Sequence, residues 1–454
     1  MQDRLDSVEQ ILDWRSKQLS LSAFHYERIP LSQCRAWRLA NGRIEHSTRR
    51  FFSVVGITAA SAAPAVNTQS QPIIDQPEVG TLAFLLRQMD GQYDVLVQAK
   101  TEPGNVGAAQ LAPTVQATLS NHNRLHGGAP TRYLEYFDST ADTTSDQLQS
   151  EQGTRFLAKY NRNATREIAG SGPEPAGEAW RWCGMEPLLA LLHHDYVINT
   201  DARSVLVASP WESLGPNRSP FSFARGACNF GADLFTSHEA QDDKAVHNFD
   251  DLLDRLSAAR ASASIVLRPV PIDSISGWIF EDSEIADEGR SRFRVGYHRI
   301  QALDREVPRW DQPLLSDFHA VDVVMVCQRR GGVLHFLLRH AAEIGFREGV
   351  QFGPTLQLTA AELLRDAFQR PLVELIEEGI VHADVWASDE GGRFDHNRVR
   401  YRIVQLPDGL ECPDGPAASW ATLSQIRKLL KISGALTNEA RSVLSLLLPY
   451  LWKA

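Results

Sequence analysis

Slid against itself by 241 positions, the chain meets its own pattern. Gln98–Thr118 aligns with Arg339–Thr359 without a gap. Glu102 falls on Glu343, Gly104 on Gly345 and Gln110 on Gln351, and Pro113, Thr114, Gln116 and Thr118 fall on Pro354, Thr355, Gln357 and Thr359. The same offset sets Val8, Ile11 and Leu12 on Phe249, Leu252 and Leu253, Pro30 on Pro271, Trp37 on Trp278, Phe52 on Phe293, and Gln71-Pro72 on Gln312-Pro313. Further on the offset becomes 238, and Ala202–Leu206 repeats as Ala440–Leu444. Such a register is the mark of internal duplication, so the chain must build one unit twice. A length of 454 residues also exceeds one ordinary core. The predicted units are residues 1–210 and 248–454. Residues 211–247 lack periodicity, carry Pro216 and Pro220, and predict a linker.

The densest polar stretch is 98–128. Tyr93–Val97 is apolar and β-prone and predicts a buried strand. Pro103-Gly104 predicts a turn. In a strand from Pro113, Thr114, Gln116, Thr118 and Ser120 share one face, and Val115, Ala117 and Leu119 the other. The first face suits a polyhydroxylated ligand or a solvated sheet surface equally. Elsewhere the pattern predicts a helix over 7–20 with Ser7 and Gln10 as a capping box. It predicts strands near 34–39 and 51–55, a loop over 57–70, and a hairpin of 81–87 with 93–98 through Asp90-Gly91. Gln147–Asn163 places Arg155, Lys159, Arg162 and Asn163 at near-helical spacing, which a charged helix end also gives. A short helix is expected over 182–192, a turn into another at 199–203, and a helix over 360–378 broken near Pro371.

A net charge of −10 and a pI near 5.8 argue against nucleic acid or an anionic membrane as the main partner. No apolar run is long enough to span a bilayer, and the first residues show no signal-peptide pattern. Five dispersed cysteines, Cys34, Cys183, Cys228, Cys327 and Cys412, fit reduced thiols in a cytoplasm. No Cys-x-x-Cys or His-x-x-x-His pair announces a metal site.

The copies differ where chemistry is expected. Lys100 becomes Ala341, Asn105 becomes Phe346, and Ser120 becomes Ala361 of an Ala360-Ala361 pair. Loss after duplication predicts chemistry in the first copy and scaffold in the second, which could still hold a second nucleotide site.

The strings Gln98–Asn105, Pro113–Asn121, Gln147–Arg155 and Asn161–Asn163 closely resemble the NDP-hexose 2,3-dehydratase family. So do His46 with Phe51-Phe52, Gln71–Ile74, Asp201–Arg203, Arg305–Val307 with Trp310, and Pro354-Thr355. The likeness spans nearly the whole chain. It departs at His122, where the family pattern has Tyr, and at Tyr160, where a second basic residue is expected beside Lys159. The resemblance implies an α+β fold of tandem Nudix-like domains, each a mixed sheet flanked by helices. It further implies a homodimer, no cofactor and no metal. The implied substrate is dTDP-4-keto-6-deoxyglucose, dehydrated across carbons 2 and 3 to a 3,4-diketo-2,6-dideoxy sugar nucleotide. A Nudix-like scaffold does not by itself mean Nudix hydrolysis. The nearest imitation of that carboxylate box, Glu374–Gly379, has the wrong spacing and reads as a helix end. A Nudix-type diphosphate hydrolase and a non-catalytic nucleotide-sugar-binding protein stay open beside the dehydratase.

Dehydration needs a base, donors for an enolate oxygen and an acid for the departing hydroxyl. Glu102, Lys100 and His126 are the candidates for proton exchange. Glu102 could instead be a turn carboxylate that Glu343 repeats, Lys100 a surface lysine, and His126 a loop histidine without a role. Gln98, Asn105, Gln110, Thr114, Gln116 and Asn121 are candidate sugar or enolate contacts. Arg155, Arg162 and Arg203 are candidate diphosphate clamps, because guanidinium grips phosphate with two donors. Arg441 repeats Arg203, so a structural ion pair is an equal reading of that residue. Asn163 and Arg132 complete the candidate binding set, with Tyr133 to stack on the base or fill a core.

Overall fold

The computed structural model describes residues 4–60, 69–89, 91–107, 109–118, 130–302, 307–358, 368–412 and 415–453. His126, Asn121, Ser120 and His122 lie outside them, as do Arg305 and the Ala360-Ala361 pair.

Each repeat builds a large mixed sheet around the same pair of strands. In the first, Gly80–Met89 and Gln92–Lys100 form the predicted hairpin. Tyr160–Ile168 runs parallel to Gly80–Met89, and Trp180–Gly184 pairs antiparallel with Gln92–Lys100. In the second, Val321–Arg330, Val333–Ala342, Arg398–Gln405 and Ala418–Thr422 repeat the arrangement. Both strands of each hairpin are apolar over long runs because helices and the other repeat cover their faces. Helix Thr200–Ala208 closes the first unit and Asn438–Leu444 the second, each capped by a side chain, Asn199 and Thr437, on the amide of the third helical residue. The same positive φ recurs at Ala23 and Ser264, at Arg49 and Arg290, and at Ala158 and His396, so the duplication extends to unusual backbone.

A second, smaller sheet precedes each large one, and here the repeats exchange strands. Val266–Val270 of the second half pairs with Ser53–Ala60 of the first. His25–Ile29 of the first half pairs with Phe293–Gln301 of the second. The loops interlock as well. The amide of Gly104 donates to the carbonyl of Gly391 at 2.9 Å and that of Gly345 to Gly153 at 2.7 Å. Ala158 answers on the carbonyl of Gly345 at 2.7 Å and His396 on that of Gly104 at 3.0 Å. Gln110 Nε2 donates to Ser388 Oγ and Ser150 Oγ to Gln351 Oε1, both at 2.7 Å. One hydrophobic core contains residues of both large sheets and both closing helices.

Several local expectations change. Gln147–Asn163 is not helical: strand Ser145–Ser150 leads through a turn to strand Tyr160–Ile168, and their cross-strand ladder overrides the charge spacing. The loop expected over 57–70 is strand up to Ala60 and again from Gln69, because Ile57, Ala59 and Ile73 share a small core. Trp182–Leu192 begins as strand Trp180–Gly184, and the helix is only Met185–Ala190. Helix Val8–Ser22 has the expected Ser7 cap, but Gln10 Oε1 accepts from the amide of Asp6, not of Ser7. Residues 211–247 carry helix Phe230–Glu239, whose Leu234 is fully buried. Pro371 sits in the first turn of helix Gln369–Glu377, where a missing N–H costs little.

Candidate functional site

A cavity of about 550 Å³ opens where the first large sheet meets its own small sheet and the loop Glu390–His396 of the second repeat. That size suits a ligand of sugar-nucleotide scale. Its floor comes from strand ends. Lys100 ends Gln92–Lys100, and Glu102 opens the Pro103-Gly104 turn, its carbonyl accepting from the amide of Asn105 at 3.2 Å, with Lys100 Nζ 3.0 Å from Glu102 Oε1. Both side chains are almost fully buried. Across the floor, the amide of Glu151 donates to the carbonyl of Lys159 at 3.0 Å, so the strand ends hold these two side chains opposite each other. Asn161 Nδ2 donates to Glu151 Oε1 at 2.7 Å, and its Oδ1 accepts from the amide of Gly80 at 3.1 Å. Lys159 Nζ donates to the carbonyl of Glu78. Asp201 reaches the floor from the first turn of helix Thr200–Ala208.

The second repeat supplies Glu390 and Arg393. Arg393 Nε and Nη2 both donate to Gln76 Oε1 at 3.2 Å, and its guanidinium lies 4.4 Å over the ring of Phe52. Aromatic rings line one wall: His46 against Phe51 at 4.5 Å and Trp37 against Phe52 at 4.8 Å. Trp310 Nε1 donates to Gln312 Oε1 at 3.0 Å on another. Arg35 and Arg309 add cationic lining.

Deep burial and crowding set the protonation of this floor. Burial pushes the Glu151 carboxyl up to about 7; Arg441, Asn161 and Lys159 oppose the rise and Glu390 reinforces it. Burial, with the charges of Glu390, Glu151 and Glu102, holds Asp201 well above the usual carboxylate range. Glu390 is raised by burial and by Glu102, against Arg393. Burial lowers Lys159, against the pull of Glu151. Carboxyls raised and a lysine lowered by burial and mutual charge in one cavity mark a site suited to exchanging protons. Among the described residues, no group of three or more His, Cys, Asp or Glu side chains is arranged to hold a metal ion.

Of the residues singled out from sequence, Lys100, Glu102, Gln116, Thr118 and Lys159 line this cavity. Others sit close by as framework. Asn105 donates from Nδ2 to the carbonyl of Lys100 at 3.1 Å and packs against Gly391. Thr114 Oγ1 accepts from the amide of Leu85 at 3.0 Å and donates to the carbonyl of Leu96, pinning two strands. Gln110 holds Ser388, and Gln98 is half-buried in the ladder opposite Ala112 and Trp180. The three arginines read as diphosphate clamps are engaged elsewhere. Arg155 meets Asp317 at 2.7 Å and covers Phe293. Arg162 grips Asp146 with Nε and Nη2 and donates to the carbonyl of Phe137 at 2.6 Å. Arg203, fully buried, donates to the carbonyls of Ile198 and Leu192 and to Ser445 Oγ. Asn163 donates to Ser204 Oγ at 2.7 Å, Tyr133 Oη bonds Glu174 and Ala176 rather than facing the cavity, and Arg132 is exposed.

Sequence reasoning did not select Glu151, Asp201, Glu390 or Arg393. A signal existed for two of them: Glu151 lies in the string Gln147–Arg155 and Asp201 in Asp201–Arg203. Nothing local marked Glu390 and Arg393, which belong to the other repeat.

A duplicated α+β chain that closes one deep polar cavity over paired acids and lysines has the equipment of an acid–base enzyme. The sequence model of the family described as NDP-hexose 2,3-dehydratase matches residues 8–208 and 249–447, and the chain belongs to that family. It is similar to three proteins named dTDP-4-dehydro-6-deoxy-alpha-D-glucopyranose 2,3-dehydratase. One from Streptomyces violaceoruber is 32% identical over 447 residues, 95% of each chain. One from Saccharopolyspora spinosa is 31% identical over 449 residues, 95% of this chain and 89% of the relative. One from Amycolatopsis orientalis is 29% identical over 452 residues, 96% and 89% respectively. A solved structure titled "Crystal structure of ADP compounds hydrolase" aligns at a TM-score of 0.23 and 19% identity over 34% of this chain and 83% of that one, too slight a likeness to assign a fold.

Proposed function

We propose that the protein removes water across carbons 2 and 3 of dTDP-4-keto-6-deoxyglucose, giving dTDP-3,4-diketo-2,6-dideoxyglucose in deoxysugar biosynthesis. Family membership and the names of the relatives support the reaction. The observation that carries it into this molecule is the Lys100–Glu102 pair at 3.0 Å inside the cavity. The 4-keto group acidifies the hydrogen on carbon 3. Glu102 takes that proton, and the Lys100 ammonium stabilises the enolate oxygen. Hydroxide leaves carbon 2, and the resulting enol becomes the 3,4-diketone. Arg393, held on the cavity wall by Nε and Nη2 on Gln76 and Nη1 on the carbonyl of Gly392, is the diphosphate partner through its charge, and the aromatic wall around Trp37 and Phe51 takes the base.

The first repeat carries the chemistry. Its Lys100 and Lys159 correspond to Ala341 and Asn397 in the second. We further read the large sheets as tandem Nudix-like domains, over 1–210 and 248–454, in a cytoplasmic homodimer. No helix among the described residues is long and apolar enough to cross a membrane. Incubation with dTDP-4-keto-6-deoxyglucose in EDTA, followed by mass analysis, tests the reaction. Loss of one water is expected. Release of dTMP restored by magnesium would replace dehydration with diphosphate hydrolysis.

A further inference from the structure

We propose that Glu151 is a further proton-transfer residue of this site, delivering a proton to the departing 2-hydroxyl, and that Asn438 of the second repeat is its positioning residue; this rests on the dehydratase reading above. Glu151 keeps part of its surface open to the cavity while lying deep in the protein. Its two carboxylate oxygens are held by amides from different repeats. Asn161 Nδ2 donates to Oε1 at 2.7 Å, and Asn438 Nδ2 donates to Oε2 at 3.0 Å. Asn438 opens the helix Asn438–Leu444 and is almost fully buried, so its amide has little freedom to leave.

The duplication supplies a control. The 238 offset puts Asp389 at the place of Glu151. Asp389 is also held by one amide from each repeat, Asn397 at 3.2 Å and Gln152 at 2.8 Å. A carboxyl clamped from both sides is therefore a property of the architecture. The side facing Lys100 and Lys159 differs in having a cavity in front of it.

The groups facing Glu151 are Lys159 just before strand Tyr160–Ile168, Arg441 on the Asn438 helix, Glu390 from the second-repeat loop, and Asp201. Their balance leaves the carboxyl protonated in a good share of molecules near neutrality. The step then balances. Glu102 takes the carbon-3 proton, and that C–H electron pair enters the enolate. The C2–O bond breaks with its pair going to oxygen, which takes the proton from Glu151 and leaves as water. In the ensuing tautomerisation the Glu151 carboxylate takes the 3-hydroxyl proton and Glu102 returns its proton to carbon 2, so both groups are restored.

The full-length protein tests this in two ways. Infrared difference spectroscopy of the free protein follows carboxyl titration, and the band lost in Glu151→Gln belongs to Glu151. Asn438→Ala removes a donor to the ionised form, so the midpoint of that band should rise by roughly one pH unit. Asn438→Ser serves if the alanine variant does not fold. In turnover of dTDP-4-keto-6-deoxyglucose, Glu151→Gln should lower kcat at least about 100-fold while dTDP binding by calorimetry is kept. The alkaline limb of kcat should shift upward in the Asn438 variant with the infrared midpoint. A Glu151→Gln protein that binds dTDP and turns over at the parent rate overturns the proton-transfer role. An infrared midpoint unmoved in the Asn438 variant overturns the positioning role. If the parent protein expels no water, the dehydratase reading and the step built on it fail together, and the infrared arm still decides whether Asn438 sets the protonation of Glu151.

Discussion

The amide of Gly104 donates to the carbonyl of Gly391, and a Cβ on Gly104 would lie 1.4 Å from the carbonyl oxygen of Phe394. Gly345 stands in the mirrored relation to Gly153 and Phe156, with 2.0 Å to the Phe156 oxygen. These are contacts between backbones of different repeats, so no rotamer change relieves a substitution. Gly104→Ala and Gly345→Ala should each cost at least about 3 kcal/mol, the upper end of overpacking. Denaturant unfolding of the two variants reads the cost directly, and a loss below about 1 kcal/mol would mean the loops can part without consequence.

Glu102→Gln should reduce turnover by at least about 100-fold, the usual scale for losing a proton-transfer group. Glu343→Gln, at the same place in the other repeat, should do far less provided the protein folds. Its Oε2 accepts from the amide of Thr154 at 3.1 Å, so it works as a strut for the facing loop. Equal losses of kcat in two well-folded variants would contradict a single catalytic repeat.

Arginine roles separate by what each guanidinium already touches. Arg162→Lys loses a two-donor grip on Asp146 and should leave dTDP affinity within about twofold of the parent. Arg393→Lys loses the fork on Gln76 and the stacking on Phe52, and should weaken dTDP binding roughly tenfold, the value of one charge-assisted hydrogen bond. Calorimetry with dTDP on both variants checks the pair. The reverse ranking would return the diphosphate to Arg162.

Burial, together with Glu343 and Asp389, pushes the Glu439 carboxyl up to about 8, against Arg441. The folded value lies above the unfolded one, so the folded state binds more protons between them. Stability from this group is present in full below the ordinary glutamate range and is lost as pH rises toward 8. Glu439→Gln should therefore flatten the fall in melting temperature between mildly acidic pH and about pH 8. A slope matching the parent would show that Glu439 is ionised throughout that window.

The repeats were legible in sequence because duplication preserves spacing, and spacing is a one-dimensional property. Lys100 and Glu102 were legible for a related reason: a strand end and a Pro-Gly turn fix their relation within a few residues. The alternation from Pro113 separated Gln116, on the cavity, from Val115 in the core, but Ala117 lines the cavity as well and Thr114, on the polar face, is buried between two strands. Arg162 was not legible, since a guanidinium bonds whichever acceptors the fold brings near; the repetition of Arg203 as Arg441 did offer a structural role, though not its carbonyl and hydroxyl partners. Asp146 and the carbonyl of Leu192 cannot be singled out before strands and helices are in place.

The exchange of His25–Ile29 and Val266–Val270 between the small sheets also lay beyond the pattern. Every strand with an unfilled edge has the same row of donors and acceptors, and only packing decides which partner it meets. The sequence by itself determined that one unit is built twice and that the copies diverged at Lys100 and Asn105. Tertiary structure alone decided that the first unit's cavity is closed by Glu390 and Arg393 of the second, because burial and mutual charge act through space between groups far apart along the chain.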